Sequence, residues 1–317
     1  MGSGTIHDMA RTGRPKRDDL ALLNLAAAVW DDDEPEINFL ARLHCLIGLP
    51  YRDPGDVPAW GRRNGNLSLL VQPGVQMAED GTTSTVGYPY GTVPRLLLTW
   101  LSTEAVRTQS PNLVLGESLS AFMRSLGLQP TGGKQGTIAR LRKQMERLFL
   151  ATLTVKWEGD PSRQAASRLN VASSYDLWWS DPDPNDPKLL LPSMVRLSPD
   201  FFAEVIEHPV PLNLNALRAL RGSALRIDQY QWLTYRMSWL KRRTEIPWES
   251  LRTQFGSNLA DTRYGRSRFR QEFERNLQQV LLVYRDCRVE TNAKGIVLYP
   301  SPTHVRMTVA RRTLELG

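Results

Sequence analysis

One order of predicted elements occurs twice along the chain and limits the folds that it can adopt. In each copy, two helices with apolar side chains at helical spacing precede a third, basic helix, and alternating strand residues follow. A glycine, Gly127 or Gly256, ends the short middle helix of each copy. The predicted helices span residues 94–107, 118–126 and 136–150, and then 223–240, 247–255 and 264–280. This repetition indicates two similar small units within the 317 residues.

Strand patterns after each third helix define the predicted fold class. "ATLTVKW" and residues near 175–179 and 194–197 follow the first, and two strands around an Asn-Ala-Lys-Gly turn follow the second. Three helices followed by a β-hairpin are the winged form of the helix-turn-helix, whose third helix enters the major groove of DNA. The expected fold is α+β, with tandem winged-helix domains and a helical N-terminal extension. The predicted boundaries are 1–85 for an extension with two helices, 86–209 for the first winged-helix domain, and 210–317 for the second domain with a short C-terminal tail.

Segments outside the two copies carry further expectations. The extension is predicted to form helices over 20–30 and 36–48, the second begun by a capping box of Asp33 and Glu36, and a short strand after the Asn-Gly turn of "RRNGNLSLLV". "HPVPLN", residues 208–213, is the predicted joint between the domains because its two prolines forbid a continuous helix. "TGRPKR" near the N-terminus has the composition of a hook that reads an A·T-rich minor groove, although a solvated basic tail is the simpler interpretation.

The third helix of the first copy has one apolar face and one cationic face. On a wheel of about 100° per residue, Ile138, Leu141, Met145 and Leu148 fall on one side and the basic residues fall opposite. Five positive residues meet one acidic residue there, unlike the mixed-sign surface of an ordinary solvated helix. The residues of this copy predicted to contact DNA are Lys134, Thr137, Arg140, Arg142, Lys143, Gln144 and Arg147.

The third helix of the second copy has the same division, with Phe269 and Phe273 on its apolar face. Arg268, Gln271 and Arg275 stand opposite. Arginine reads guanine and glutamine reads adenine by paired hydrogen bonds, so this stripe can carry sequence information. Arginines beside the stripe are expected to contact phosphate, and a Lys-Arg-Arg run at a predicted helix C-terminus fits either phosphate contact or the helix dipole. The residues of this copy predicted to contact DNA are Lys241, Arg242, Arg243, Arg263, Arg266, Arg268, Arg270, Gln271 and Arg275.

Composition and motifs argue against several other function classes. Lys plus Arg outnumber Asp plus Glu by 40 to 33, which gives a net charge of +7 and makes a polyanion the expected partner. The spacing around Gly133 and Lys134 does not fit a phosphate-binding P-loop, since Gln135 stands where serine or threonine is needed. Four scattered histidines and two cysteines show no metal-ligand spacing, so no metal, no cofactor and no enzymatic activity are expected. No apolar run approaches the roughly 20 residues of a membrane span, so no membrane partner is expected and a cytoplasmic location fits best.

Three segments resemble the RepA class of plasmid replication initiators: "GYPYGTVPRLLLTWLSTEAVRT", "GESLSAFMRSLGLQPTGGKQGTIARLRKQMERLF" and "LYPSPTHV". The resemblance covers about Tyr88 to Val305. It implies tandem winged-helix domains that bind repeated sites (iterons) in the double-stranded origin DNA of a bacterial plasmid. It further implies that the protein helps to open adjacent A·T-rich DNA and recruits the host replicative helicase with the host initiator protein. Relatives of this class repress their own promoter, commonly as homodimers, and initiate replication as monomers.

Two alternatives stand beside a non-catalytic initiator. A winged-helix transcriptional repressor would bind an inverted repeat as a symmetric dimer, whereas two readers on one chain fit a long repeat across successive major grooves. An origin-nicking endonuclease would use Tyr264 or Tyr284 as its nucleophile, but the sequence has no paired histidines to hold the metal. One basic helix with an apolar face is most often ordinary surface structure. Two such helices in the same sequence context favour DNA binding.

Overall fold

Helices and short antiparallel sheets alternate along the chain in the computed structural model, which has a mixed α+β fold. The structure describes residues 17–32, 35–116, 118–160, 163–177, 193–256 and 259–305. Residues 12–16 of the predicted minor-groove hook and the capping residue Asp33 lie outside these described residues. The N-terminal part contains α1 (Arg17–Trp30), β1 (Ile37–Ala41), α2 (Arg42–Leu46), β2 (Trp60–Asn64), β3 (Leu67–Gln72), β4 (Gly74–Met77) and β5 (Thr83–Gly87).

The element order predicted for the first copy is present over residues 92–197, called here the first repeat. It contains α3 (Thr92–Thr108), β6 (Asn112–Val114), α4 (Leu119–Ser125), α5 (Thr137–Leu150), β7 (Thr152–Asp160), β8 (Arg163–Leu169), β9 (Ala172–Asp176) and β10 (Met194–Leu197). Ser118 begins α4 by accepting a hydrogen bond from the N–H of Ala121 at 3.1 Å, which is an ordinary N-cap.

The second copy spans residues 224–298, called here the second repeat. It contains α8 (Ala224–Met237), β12 (Thr244–Pro247), α9 (Trp248–Phe255), α10 (Arg263–Val283), β13 (Val289–Thr291) and β14 (Gly295–Leu298). The segment between the repeats contains α6 (Pro199–Glu207), β11 (Pro209–Asn213) and α7 (Leu214–Leu220). The six helices predicted for the two copies are confirmed, and their ends differ from the predicted ends by at most three residues.

The two repeats also share a sheet topology that the sequence did not indicate. In each repeat a short strand between the first and second helices pairs with the last strand, which gives the orders β6-β10-β9 and β12-β14-β13. All of these pairings are antiparallel. The first repeat differs by an inserted hairpin, β7 and β8, which joins β2 and β3 in a sheet of order β2-β3-β7-β8. Both repeats therefore follow the order helix, strand, helix, helix, strand, strand.

The helix predicted over residues 36–48 is wrong. Residues 37–41 form strand β1, all five of its residues are buried, and only α2, from Arg42 to Leu46, is helical. β1 pairs with β11 over Pro209–Asn213, so the predicted joint "HPVPLN" is mostly an ordered strand. Pro209 and Pro211 are tolerated because each strand of this two-stranded sheet has one unpaired edge.

A continuous apolar core joins the N-terminal part to both repeats. α1 packs against α7 and α10, and the indole N–H of Trp30 donates to the carbonyl of Leu282 at 2.8 Å. β1 lies against α3 and buries Phe39, whose N–H donates to the hydroxyl of Thr103 at 2.8 Å. Within the described ranges, none of the helices combines the length and the apolar character that crossing a membrane requires.

Candidate nucleic-acid interface

The loop before α5 is closed by its own polar groups. Gly133 has φ +85°, a left-handed conformation that favours glycine. Thr131 and Thr137 each donate their backbone N–H to the other's hydroxyl, at 2.8 and 2.9 Å, and the Thr137 hydroxyl donates to the carbonyl of Gln129 at 2.5 Å. The predicted DNA contact Thr137 thus holds the loop, because its hydroxyl proton is already shared with a backbone carbonyl.

The outer face of α5 presents the cations that the helix wheel predicted. Leu141, Met145 and Leu148 are at most 1% exposed, and they form the inner face. Lys134 in the loop and the three basic residues in the first half of the helix are exposed; these helix residues are Arg140, Arg142 and Lys143. This surface is therefore cationic and open to solvent.

Gln144 and Arg147 do not belong to that surface, so the prediction that they contact DNA is wrong. Gln144 is 4% exposed, and its side-chain oxygen accepts the N–H of Tyr90 at 2.8 Å. Arg147 is 6% exposed and donates to the carbonyls of Val86 and Tyr88 at 2.9 and 3.1 Å. The helical wheel assumed that only the apolar face of α5 is packed. A second face of α5 packs against β4, β5 and the chain that follows them.

Two further interactions fix the Arg147 guanidinium. Asp53 forms an ion pair with it at 2.9 Å, and the ring of Tyr90 lies 5.3 Å from the guanidinium carbon. A Cβ atom on Gly87, which has φ +85°, would lie 2.6 Å from the Arg147 Nη2 atom. Arg147 is therefore a structural residue that anchors β5 and the residues after it to α5.

α10 begins at a capped end and separates its two faces cleanly. The Thr262 hydroxyl accepts the N–H of Gly265 at 3.0 Å. Phe269 and Phe273 are at most 3% exposed and pack into the core. Most of the residues predicted to contact DNA lie on the opposite, exposed side, namely Arg263, Arg266, Arg268, Gln271 and Arg275. Arg268, Gln271 and Arg275 line one shallow groove with Tyr264.

Carboxylates hold the arginines of α10 in defined positions. Arg268 pairs with Glu272 at 2.9 Å and Arg270 pairs with Glu274 at 3.0 Å, both one helical turn apart. The half-buried Arg270 also lies over the ring of Trp248, 5.1 Å from its centroid. Exposed ion pairs of this kind contribute at most about 1 kcal/mol, so a phosphate or a base can displace the carboxylate. In the sequence, each of these arginines is followed by a glutamate four residues later, and this spacing indicates an ion pair on one face of a helix.

Lys241, Arg242 and Arg243 are exposed in the connection between α8 and β12. α8 ends at Met237, so this run lies beyond the last helical turn and the expected contribution of the helix dipole is wrong. Arg243 lies 3.9 Å from Glu245, a long ion pair at the surface. The run remains available for a phosphate contact.

A buried ion cluster that sequence reasoning missed joins the two repeats. Asp228 on α8 accepts hydrogen bonds from the Nε and Nη2 atoms of Arg95 on α3 at 2.5 and 2.8 Å. Arg62 on β2 contacts the same carboxylate at 3.5 Å. The three side chains are at most 4% exposed. Burial opposes the charge of Arg95, but the neighbouring Asp228 carboxylate outweighs it and raises the pKa of Arg95.

Two histidines and one of the two candidate nucleophilic tyrosines lie largely inside the fold. Burial lowers the pKa of His44 and of His304 to about 4. Tyr284 is fully buried and donates its hydroxyl to the carbonyl of Pro302 at 2.6 Å, so it is not placed to act as a nucleophile, whereas Tyr264 is exposed. Among the residues that the structure describes, no three His, Cys, Asp or Glu side chains are grouped closely enough to hold a metal ion.

Comparison with known proteins identifies the family. Two crystal structures of domains 2 and 3 of RctB are similar to this chain, one of them a selenomethionine derivative. The derivative has a TM-score of 0.47 at 12% identity and covers 79% of this chain and 95% of that chain. The other has a TM-score of 0.44 at 11% identity and covers 79% and 93%. No curated protein matches the sequence. The family described as plasmid encoded RepA protein matches residues 88–249, which is just over half of the 317 residues, so the chain belongs to the plasmid-encoded RepA family.

Proposed function

We propose that this protein is a non-catalytic initiator of plasmid DNA replication that binds repeated origin sites through two winged-helix domains. Membership of the plasmid-encoded RepA family supports the role in plasmid replication. The observation that carries the proposal is the repeat itself. Residues 92–197 and 224–298 share one element order and one sheet order, and each directs basic residues of its third helix toward solvent.

The topology supports the winged-helix interpretation. In a helix-turn-helix with a wing, the second and third helices pack beside a small sheet, and the third helix enters the major groove. α4 and α5 occupy these positions in the first repeat, and α9 and α10 occupy them in the second. The turn between β13 and β14 corresponds to a wing, with Asn292 accepting the N–H of Lys294 and of Gly295 at its tip.

The two third helices are assigned different roles at the DNA. Arg268, Gln271 and Arg275 share one exposed groove, and arginine and glutamine can form paired bonds with guanine and adenine. We assign base reading to this stripe. Exposed or half-exposed arginines at the edges of both helices are suited to binding phosphate. These phosphate-binding residues are Arg142, Arg263, Arg266 and Arg270.

Cations around α5 complete the proposed interface. Lys134, Arg140 and Lys143 are exposed and lie on the loop and the first turns of the helix, where a recognition helix meets the groove. Lys241 to Arg243 contribute a further phosphate contact next to the second repeat. Gln144 and Arg147 are excluded from the interface because they are buried, and Thr137 is excluded because its hydroxyl already donates to a backbone carbonyl.

Family membership also motivates the remaining parts of the proposal. The protein would help to open A·T-rich DNA next to its repeats, recruit the host helicase and initiator protein, and repress its own promoter as a homodimer. Footprinting on the origin of the cognate plasmid tests the central step. Protection of tandem repeats in one orientation is expected. Protection of only an inverted repeat would instead indicate a transcriptional repressor, and no protected repeat would reject the proposal.

Substitutions separate base reading from electrostatic attraction. Replacing Arg268 and Gln271 together by alanine should reduce the preference for the cognate repeat over random DNA by about 1–3 kcal/mol for each base that is no longer read. Arg142→Ala should weaken binding to all sequences and reduce the salt dependence by about one ion. Arg107→Ala is the matched control, since Arg107 is exposed on α3 and pairs with Glu104 one turn away. Equal reductions on specific and random DNA for both variants would contradict the assignment.

A further inference from the structure

A single turn between α7 and α8 contacts the recognition elements of both repeats. Arg221 directly follows α7, and its Nη1 atom donates a hydrogen bond to the carbonyl of Gly127. Gly127 has φ +71° and lies in the turn between α4 and α5. Two residues further on, the Ser223 hydroxyl donates to the Oδ1 atom of Asn276 on α10 at 3.0 Å. Three consecutive residues therefore connect the turn that follows α4 to the side of α10.

Asn276 lies close to the proposed base-reading stripe. It is 7% exposed, follows Arg275 directly, and donates its amide to the carbonyl of Glu272 at 2.6 Å. Its Oδ1 atom therefore meets Ser223 from a fixed position within α10. A displacement of the turn at residues 221–223 would shift the stripe relative to the turn that follows α4.

The rest of the boundary between the repeats is also rigid. The buried pair of Arg95 and Asp228 joins α3 to α8, the first helices of the two repeats. β11, which leads into α7, pairs along its whole length with β1, and β1 lies against α3. Buried packing of this kind switches between discrete arrangements and does not deform continuously. These contacts hold the first helices of the two repeats together, and the turn at residues 221–223 adds the contacts to α10 and to the turn that follows α4.

We propose that the turn of residues 221–223, called here the spacer turn, determines which separation between two DNA elements the protein accepts. This inference rests on the proposed function. One base pair inserted between the elements moves the second by about 3.4 Å along the duplex and rotates it by about 35°. Two rigidly joined helices cannot follow such a shift while both remain seated in their grooves. Arg221 and Ser223 are positioning residues for this selection, since they act through Gly127 and Asn276.

The test compares binding to the cognate repeat with binding to repeats that carry one base pair more or less between the two recognised elements. The variant combines Arg221→Ala with Ser223→Gly, because glycine is tolerated at a helix N-cap and Ser223 caps α8. Arg107→Ala is again the control. For the wild type, a change of one base pair should reduce affinity about tenfold or more, as expected when bases of the site are mismatched.

The double variant should bind the cognate repeat, and altered spacings should reduce its affinity clearly less than they reduce that of the wild type. A uniform reduction on all spacings would mean that Arg221 only supplies charge, and it would overturn the proposal. An unchanged spacing preference, or a wild type indifferent to spacing, would also overturn it. If the wild type protects no repeat at all, the proposed function itself fails, and that result is distinct from specific binding without spacing preference.

Discussion

Replacing Asp228 by asparagine tests whether the buried ion cluster holds the two repeats together. The carboxylate accepts two bonds from Arg95, at 2.5 and 2.8 Å, and lies 3.5 Å from Arg62. The Arg62, Arg95 and Asp228 side chains are 0%, 3% and 4% exposed. Asparagine has nearly the same shape, so the variant removes the charge and leaves the packing in place. Two guanidinium groups would then remain buried side by side without their counter-charge.

The expected decrease in stability is about 3–5 kcal/mol, the usual result of removing one partner from a buried ion pair. This is a large part of the roughly 5–15 kcal/mol by which a typical protein is stable. A matched pair exists at the surface. Arg63 and Glu158 are 2.6 Å apart, but their side chains are 58% and 47% exposed. Glu158→Gln should therefore cost only about 0–1 kcal/mol.

Urea unfolding of the wild type and of both variants, followed by circular dichroism, measures the two decreases. A cost for Asp228→Asn within about 1 kcal/mol of the cost for Glu158→Gln would refute the reasoning, because a cost that small is typical of an exposed pair. If Asp228→Asn does not fold, adding Arg95→Met provides the second measurement. It removes the excess buried charge at Arg95, so it should restore folding in part. No restoration would argue against the charge as the cause.

Two other predictions concern single side chains. Arg147→Ala should lower stability by about 2–3 kcal/mol, because it removes the donor to the Val86 and Tyr88 carbonyls and the partner of the partly exposed Asp53. Arg140→Ala should change stability by less than about 0.5 kcal/mol and should weaken DNA binding. Thermal unfolding and a binding titration compare the two variants, and equal melting temperatures would contradict the burial argument. Burial holds the pKa of His44 at about 4, below its ordinary value of 6.5. The unfolded chain therefore binds a proton that the folded chain does not, and stability should fall as pH decreases from 6.5 to 4, by up to about 3 kcal/mol. His44→Leu should make urea midpoints less sensitive to pH across this window, and an unchanged sensitivity would contradict the assignment.

Local patterns in the sequence were sufficient to predict the helices of both repeats. α5 and α10 each carry apolar residues at helical spacing, and Ser118 and Thr262 mark helix starts by side-chain capping. The same patterns correctly separated Arg140 and Arg268 from the core, since both are exposed. These features depend on residues within a few turns of one another. Structure that depends on interactions between residues this close in the sequence can be inferred from the sequence alone.

Features that depend on distant partners were missed or predicted wrongly. β6 has only three residues, and its partner β10 lies about eighty residues later, so no local period indicates it. The apolar run of β1 fits either a buried strand or a helix until its pairing with β11 is known. Arg147 looked like a surface cation because its acceptors, residues 53, 86 and 88, come from an N-terminal part whose packing was unknown.

The two recognition helices differ in how their cations are held, and this difference divides the proposed work between them. Arg140 and Lys143 on α5 form no ion pair within the part of the chain that the structure describes, so they offer full charge to a phosphate backbone. Arg268 on α10 is held by Glu272, which also raises its pKa by hydrogen bonding and charge. Binding to DNA must displace that carboxylate, which reduces the net electrostatic gain but leaves the guanidinium already oriented. The unpaired Arg140 and Lys143 suit attraction to any duplex, and the oriented Arg268 suits discrimination between bases. Rigid coupling of the two repeats would then let α5 bring α10 to its site.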